Sequence, residues 1–241
     1  MTRVFITGSA DGLGRLTAAT LLGDGHEVIV HARSEERLSA VRDLLALGAA
    51  GVTGDLADQE QTRSVADQVN RLGPVDAVIH NAGVYHGRSI MAVNVVAPYL
   101  LTALIDRPAR LVYLTSGMQS GGHADVSAVG TGSSYSDSKL FVTTLALAVA
   151  RLWPEVRSNA VDPGWVPTKM GGPGAPDDLR LGHLTQEWLV TSPVASTGGY
   201  WYHQRQRDPH PAARDVAFQQ SLLDELARLT GTPLPLGAGG S

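Results

Sequence analysis

Cysteine is absent from this chain of 241 residues, which excludes disulfide bonds, thiolate zinc sites and cysteine nucleophiles. The eight histidines show no metal-binding spacing such as H-E-x-x-H, so we predict that the protein holds no metal. Neither sign of charge dominates the chain. It has 19 Lys and Arg residues and 23 Asp and Glu residues, and no block of like charges. The resulting net charge of −4 disfavours a nucleic-acid partner, which would require a basic surface.

Long hydrophobic runs are missing too. The longest apolar stretches, 90–105 and 140–153, are shorter than the roughly 20 residues of a membrane-spanning helix, so we predict core or interface helices there. The N-terminal residues Val4, Phe5 and Ile6 lead directly into a glycine turn, without the charged and long apolar segments of a signal peptide. We therefore expect a cytoplasmic protein with no membrane partner.

Short β-branched runs alternate with longer segments of helical periodicity along most of the chain. The predicted strands are 4–7, 27–31, 51–54, 75–80, 110–115, 157–161 and 199–204, and the main predicted helices are 13–22, 35–47, 59–72, 89–105 and 134–153. This alternation predicts an α/β fold of the Rossmann type, a doubly wound parallel sheet in three α/β/α layers.

A glycine-rich stretch lies between the first predicted strand and the first predicted helix. Its glycines permit a tight turn and a close approach of the backbone to a pyrophosphate. The N-terminus of the helix that follows favours negative charge. An ordinary glycine turn is the alternative. The context favours a dinucleotide-binding turn made of Gly8, Ser9, Ala10, Asp11, Gly12, Leu13 and Gly14. We expect one dinucleotide-binding domain over 1–241, with a substrate loop at about 165–192 and a C-terminal helix at about 212–230.

Tyr135 and Lys139 are four residues apart on a predicted helix, which places both side chains on one face. The chain has only two lysines, so such a pair is uncommon by chance. An ammonium near a phenol, whose ordinary pKa is about 10, favours the ionised phenol. The pair is therefore a candidate proton donor and acceptor, and a shared solvated helix face is the alternative.

Several motifs follow one another in the order typical of one enzyme family. They are the glycines at 8, 12 and 14, then Asp55-Leu56, Asn81-Ala82-Gly83, Asn94, Thr115-Ser116, Tyr135 with Lys139, and Asp162-Pro163-Gly164 with Thr168. Over residues 2–230 the sequence resembles the short-chain dehydrogenase/reductase superfamily in its short single-domain form. Within that superfamily, the sequence is similar in character to the carbonyl-reductase and retinol-dehydrogenase-like members.

The resemblance implies a hydride-transferring enzyme that interconverts a carbonyl compound and an alcohol. Tyr135 would exchange the proton, Lys139 would bind the nicotinamide ribose and keep the phenol acidic, and Ser116 would orient the carbonyl oxygen. Asn94 would help to hold a water that relays protons to the lysine. The cofactor-binding residues implied beyond the glycine turn are Asp55, Leu56, Asn81, Ala82, Gly83, Tyr135, Lys139, Pro163, Gly164 and Thr168.

Cofactor choice depends on the end of the second predicted strand. An acidic side chain there would accept a hydrogen bond from the 2′-hydroxyl of NAD, whereas an arginine would pair with the 2′-phosphate of NADP. The chain has Arg33 at this place, and Glu35 and Glu36 behind Ser34 fit the first turn of a helix better. We therefore expect NADP, with NAD as the alternative.

Residues beside the motifs favour a lipophilic aldehyde or ketone as substrate, with core packing as the alternative. Those expected near the nicotinamide are Val84, Tyr85, His86, Met118, Trp165, Val166 and Met170. Ser116 and Tyr135 are 19 positions apart, a longer gap than the family leads us to expect. His123 within this gap is interpreted as a solvated loop residue rather than a second acid/base group.

Two other classes of protein stay open. A dinucleotide-sensing protein without turnover would keep the glycine turn but commonly lacks the acid/base residues. An epimerase or dehydratase of the extended branch would have another glycine spacing and a larger substrate domain. The presence of Ser116, Tyr135 and Lys139 together favours the enzyme.

Two helices are expected to shape the assembly. Segments 90–105 and 140–149 are apolar around nearly the whole helix, and a sheet covers only one side, so we predict a two-fold interface and a homodimer or homotetramer. Pro98 lacks an N–H group and should bend the first of these helices at Asn94.

Overall fold

The computed structural model describes residues 1–131, 134–193 and 196–235. These residues contain the strands β1 (Arg3–Ile6), β2 (Glu27–Ala32), β3 (Ala50–Thr53), β4 (Ala77–His80), β5 (Arg110–Leu114), β6 (Arg157–Asp162), β7 (Tyr200–Tyr202) and β8 (Arg205–Arg207). They form one sheet in the order β3-β2-β1-β4-β5-β6-β7-β8, in which only β8 is antiparallel to its neighbour. The predicted doubly wound α/β fold is confirmed.

Helices cover both faces of this sheet. They are α1 (Gly12–Gly23), α2 (Glu35–Leu38), α3 (Arg42–Ala46), α4 (Gln59–Leu72), α5 (Ala97–Leu104), α6 (Ala128–Thr131), α7 (Tyr135–Leu152), α8 (Leu179–Thr191) and α9 (Val216–Thr230). Successive residues of a strand face opposite sides, so Phe5 joins the apolar cluster beneath α4, α5, α7 and α9, whereas Val4 and Ile6 join the one beneath α1 and α8. No described helix is both long and apolar enough to span a bilayer.

The last strand pair differs from the sequence expectation. A single strand was predicted at 199–204, but the chain reverses there and returns as β8. His203 and Gln204 form the turn with positive φ angles of 47° and 58°. Hairpin turns of this kind normally carry Gly, Asn or Asp, so the residues that signal a hairpin are missing from the sequence.

The C-terminal segment covers the two apolar helices from which an oligomer was predicted. Helix α9 packs on α7, with the rings of Phe141 and Phe218 6.0 Å apart. The chain then continues along the same face, where the Tyr99 hydroxyl donates to the Thr232 carbonyl at 2.7 Å and the Trp153 indole donates to the Pro235 carbonyl at 2.9 Å. The chain itself therefore covers part of these two helices, and the two-fold interface stays a prediction.

Candidate active site

A cleft of about 580 Å³ opens at the carboxyl ends of the strands, beside β1, where the strand order reverses. The turn after β1 is shaped by its glycines: Gly8 and Gly12 have φ angles of +63° and +54°. A Cβ on Gly8 would lie 2.9 Å from the Ala82 Cα, and one on Gly14 would overlap the Asn81 amide nitrogen. The backbone is therefore open toward the cleft and closely packed behind it, which fits a bound dinucleotide.

Most residues predicted to bind the cofactor line this cleft. They are Gly8, Ala10, Asp11, Gly12, Leu13, Arg33, Asp55, Leu56, Asn81, Ala82, Gly83, Tyr135, Lys139, Pro163 and Thr168. Ser9 does not border the cleft, because this serine is fully buried and its hydroxyl donates to the Ile6 carbonyl while accepting the His31 N–H; its predicted contact with the cofactor stays a prediction. Gly14 lies behind the turn against Asn81, and Gly164 borders a neighbouring cavity.

Two residues to which sequence reasoning gave no role, His31 and Arg37, border the cleft beside β2. Buried His31 accepts the Gly8 N–H at Nδ1 (3.0 Å), and its Nε2 lies 2.9 Å from the Gly54 carbonyl oxygen. Burial lowers the pKa of His31, so the ring stays neutral in this bridge. Arg37 borders the cleft together with Arg33, and its guanidinium lies 3.6 Å from the Asp11 carboxylate.

Asp11 is the most heavily paired group of the glycine turn. Its carboxylate caps α1 by accepting the Gly12 N–H at 2.9 Å, and it forms an ion pair with Lys169 from the loop after β6. The hydrogen bond from Lys169 is the largest influence on the pKa of Asp11, which is lowered. The glycine turn and the substrate loop are thus joined across the cleft.

The start of α7 positions the candidate acid/base group. Ser134 accepts the Asp137 N–H while the Asp137 carboxylate accepts the Ser134 N–H, so a capping box fixes Tyr135 as the first helical residue. One turn later, the buried Lys139 ammonium lies 5.4 Å from the Tyr135 ring centroid and donates to the Leu114 carbonyl at 2.9 Å. Ser116, just after β5, borders the same cavity as Tyr135 and lowers the pKa of its phenol.

The pKa of the phenol differs from the sequence expectation. Burial raises the pKa of Tyr135 to about 12, and the hydrogen bond from Ser116 opposes this rise without cancelling it. Burial also lowers the pKa of Lys139 to about 8. Burial is therefore the largest influence on the pKa of Tyr135, and its direction is opposite to the effect expected of Lys139.

Asn94 lies in a π-helical turn, Ala92–Val96, which precedes α5 and contains an Ala97 N–H to Ala92 carbonyl bond. The structure has this wider turn at Asn94, and the bend expected from Pro98 stays a prediction. The Asn94 amide exchanges hydrogen bonds of 2.9 and 3.0 Å with the Val84 backbone and donates to the Ser138 hydroxyl at 3.0 Å. It therefore ties the loop after β4 to α7, instead of bordering the cleft.

A second cavity of about 690 Å³ adjoins the cleft. Its wall includes Ser116 and Tyr135 and the expected apolar residues Tyr85, Met118, Trp165, Val166 and Met170, whereas Val84 lines the first cleft. Asp162, from a motif singled out in the sequence but given no role there, also borders it, together with three residues that sequence reasoning missed, Asp177, Tyr202 and Arg207. The side chain of His123 is 85% exposed and lies 3.1 Å from the capping residue Asp137, as expected of a solvated loop residue. Among the described residues, no group of three or more potential ligands is placed to hold a metal ion.

This chain belongs to the short-chain dehydrogenase family, whose model matches residues 2–178. The uncharacterized oxidoreductase AN7799 of Emericella nidulans is 34% identical over 255 residues, which cover 98% of this chain and 100% of that protein. Family membership confirms the expected enzyme class, an oxidoreductase.

Two solved structures show the same fold at lower sequence identity. An uncharacterized protein from Mycobacterium paratuberculosis superposes with a TM-score of 0.83 at 23% identity, covering 98% of this chain and 96% of that one. A short-chain dehydrogenase from Escherichia coli CFT073, complexed with NADPH, superposes with a TM-score of 0.68 at 24% identity, covering 85% and 97%.

Proposed function

We propose that this oxidoreductase is NADP(H)-dependent and interconverts a lipophilic aldehyde or ketone and the corresponding alcohol. The observation that carries the proposal is the position of Tyr135, which borders both the cofactor cleft and the second cavity. A phenol at this junction faces a substrate oxygen on one side and the nicotinamide end of the cleft on the other. The second cavity is therefore assigned to the substrate.

A bound nicotinamide cofactor supplies or accepts the hydride. In reduction, Tyr135 holds a proton at its hydroxyl oxygen and donates it to the carbonyl oxygen, and in oxidation it takes the proton back. Ser116, which borders the same cavity as Tyr135, orients the same oxygen and stabilises its developing charge. Lys139 holds the ribose hydroxyls and places positive charge near the phenol. Asn94 acts through the Val84 loop as a positioning residue.

The preference for NADP rests on two arginines. Arg33 and Arg37 both border the adenosine end of the cleft, and Glu35 accepts the Thr53 hydroxyl at 2.8 Å on the outside of α2. Two guanidinium groups favour a 2′-phosphate over a 2′-hydroxyl. The NADPH complex of the Escherichia coli structure supports the same choice, and NAD stays the alternative.

The other predicted cofactor contacts keep the roles that the family resemblance implies. Asp55 and Leu56 are assigned to the adenine, Asn81, Ala82 and Gly83 to the cleft wall, and Pro163, Gly164 and Thr168 to the nicotinamide and pyrophosphate side. A small-molecule substrate is expected of the family. The cytoplasmic location and the homodimer or homotetramer stay predictions, and light scattering in solution tests the latter.

A panel of aldehydes, ketones and alcohols of graded size, followed at the NADPH absorbance band, tests this function. We expect reduction of apolar carbonyl compounds with NADPH, a weaker rate with NADH, and poor use of charged sugars. Binding of NADPH without turnover of any compound would instead favour a dinucleotide-sensing protein.

A further inference from the structure

Asp162 is a buried carboxylate on the wall of the substrate cavity. It is the last residue of β6, only 6% of it is exposed, and it borders the same cavity as Ser116 and Tyr135. Burying a carboxylate reduces the stability of the fold unless its hydrogen bonds are satisfied. A buried carboxylate beside a proton-transferring group is therefore a candidate functional residue.

The carboxylate is held in one position. Its Oδ1 accepts the Gly164 N–H at 3.0 Å, and its Oδ2 accepts the hydroxyl of buried Tyr200 at 3.1 Å. A Cβ on Gly117 would lie 3.1 Å from Oδ2, so a larger residue directly after Ser116 would crowd the carboxylate. Within the described part of the chain, no cation lies within ion-pair distance of Asp162. Hydrogen bonds hold the group, and its charge remains unpaired.

This charge acts on both candidate catalytic groups of α7. It disfavours the phenolate of Tyr135 and raises the pKa of that residue, and it favours the ammonium of Lys139 and raises its pKa against the effect of burial. The titratable and charged groups around the cavity and the carboxylate are Tyr85, Tyr135, Lys139, Asp177, Tyr200, Tyr202, His203 and Arg207. Asp162 is the buried anion among them.

We propose that Asp162 sets the charge of the Ser116–Tyr135–Lys139 site, keeping Lys139 charged and Tyr135 protonated at neutral pH. This inference rests on the proposed function, because it concerns the proton that Tyr135 donates. Asp162 acts through Tyr135 and Lys139, so it is a positioning residue that touches neither substrate nor cofactor in the mechanism.

The test is Asp162→Asn, which removes the charge and keeps the size and an acceptor for the Gly164 N–H. The pKa of Tyr135 is read from phenolate absorbance in the protein alone, as the difference between the titration of each protein and that of its Tyr135→Phe counterpart. We expect the Tyr135 titration and the alcohol-oxidation profile to move down by about one pH unit.

Asp177→Asn is the matched control, because Asp177 borders the same cavity and accepts the Trp165 N–H at 2.6 Å. It should leave the Tyr135 titration in place. Asp162→Ser removes the same charge with a smaller side chain, and it should move the titration in the same direction as Asp162→Asn.

Unchanged Tyr135 titrations in both Asp162 variants would overturn the proposal, as would an equal shift in Asp177→Asn. The phenolate titration needs no turnover, so it tests the charge effect of Asp162 independently of the proposed function. A shifted titration in a protein that turns over no carbonyl compound would support the charge effect of Asp162 and count against the proposed function.

Discussion

The cofactor cleft and the substrate cavity meet at Tyr135, but they are built from different parts of the chain. The cleft is formed mainly by the turns after β1, β2 and β4, all within residues 8–84. The cavity takes much of its wall from the loop after β6 and from the hairpin β7–β8. A local backbone motif defines the first region, whereas long-range packing defines the second.

This contrast explains what the sequence could predict. The glycine turn depends on positive φ angles and a close approach between neighbours in the fold, so Gly8 and Gly14 identify it locally. Tyr135 and Lys139 could be paired because helical spacing alone places them together. The alternation of strands and helices likewise predicted the sheet, since parallel strands need crossover helices.

The features of the fold and the site that the sequence did not predict depend on tertiary contacts, which no local sequence pattern contains. Tyr202 and Arg207 reach the cavity only because the chain reverses at His203, a residue that does not signal a turn. The raised pKa of Tyr135 follows from burial, which sequence spacing does not measure. The cover that α9 gives to α7 is likewise a tertiary contact.

The comparison predicts that variants fall into two groups by region: a change in the cleft should alter cofactor affinity, and a change in the cavity should alter the substrate KM.

Lys139, which borders the cleft and neighbours Tyr135, should show the largest effect. Lys139→Met removes the charge beside Tyr135 and the ribose contact, so turnover should fall by about 10² or more and NADPH should bind more weakly.

The same variant should stabilise the fold at neutral pH. Burial lowers the pKa of Lys139 from 10.5 to about 8, so the unfolded chain holds more protons between these values and native stability rises with pH there. Below pH 8 the buried charge costs on the order of 3 kcal/mol, which Met avoids. Thermal unfolding should show a higher Tm for Lys139→Met near neutral pH and a smaller gain above pH 10.5. Lys169→Met is the control, since Lys169 is exposed, and an equal gain there would contradict this explanation.

A change confined to the cleft should have the next largest effect. Arg33→Asp removes a partner of the 2′-phosphate, a loss of roughly 1.5 to 3 kcal/mol, so NADPH should bind about 10- to 150-fold more weakly while NADH changes little. Fluorescence titration with both cofactors measures this, with Arg42→Asp as an exposed control outside the cleft. Equal affinities of Arg33→Asp and the unmodified protein for NADPH would remove the NADP assignment.

A change confined to the cavity should have the smallest effect. Trp165 is 60% exposed at the cavity rim, so Trp165→Ala removes apolar contact with a large substrate and should raise its KM by about fivefold, equivalent to about 1 kcal/mol. The KM of a small aldehyde and the affinity for NADPH should not change. A matching loss of NADPH affinity would show that the two regions are not separable.

The central claim is that Tyr135, at the junction of the two regions, transfers the proton. Tyr135→Phe keeps the ring that packs 4.6 Å from the ring of Tyr85 and removes only the hydroxyl. Turnover in both directions and NADPH affinity, measured on the same preparation, test this claim most directly. We predict that turnover falls by about 10² or more while NADPH still binds. An active Tyr135→Phe enzyme with an unshifted pH profile would contradict the account.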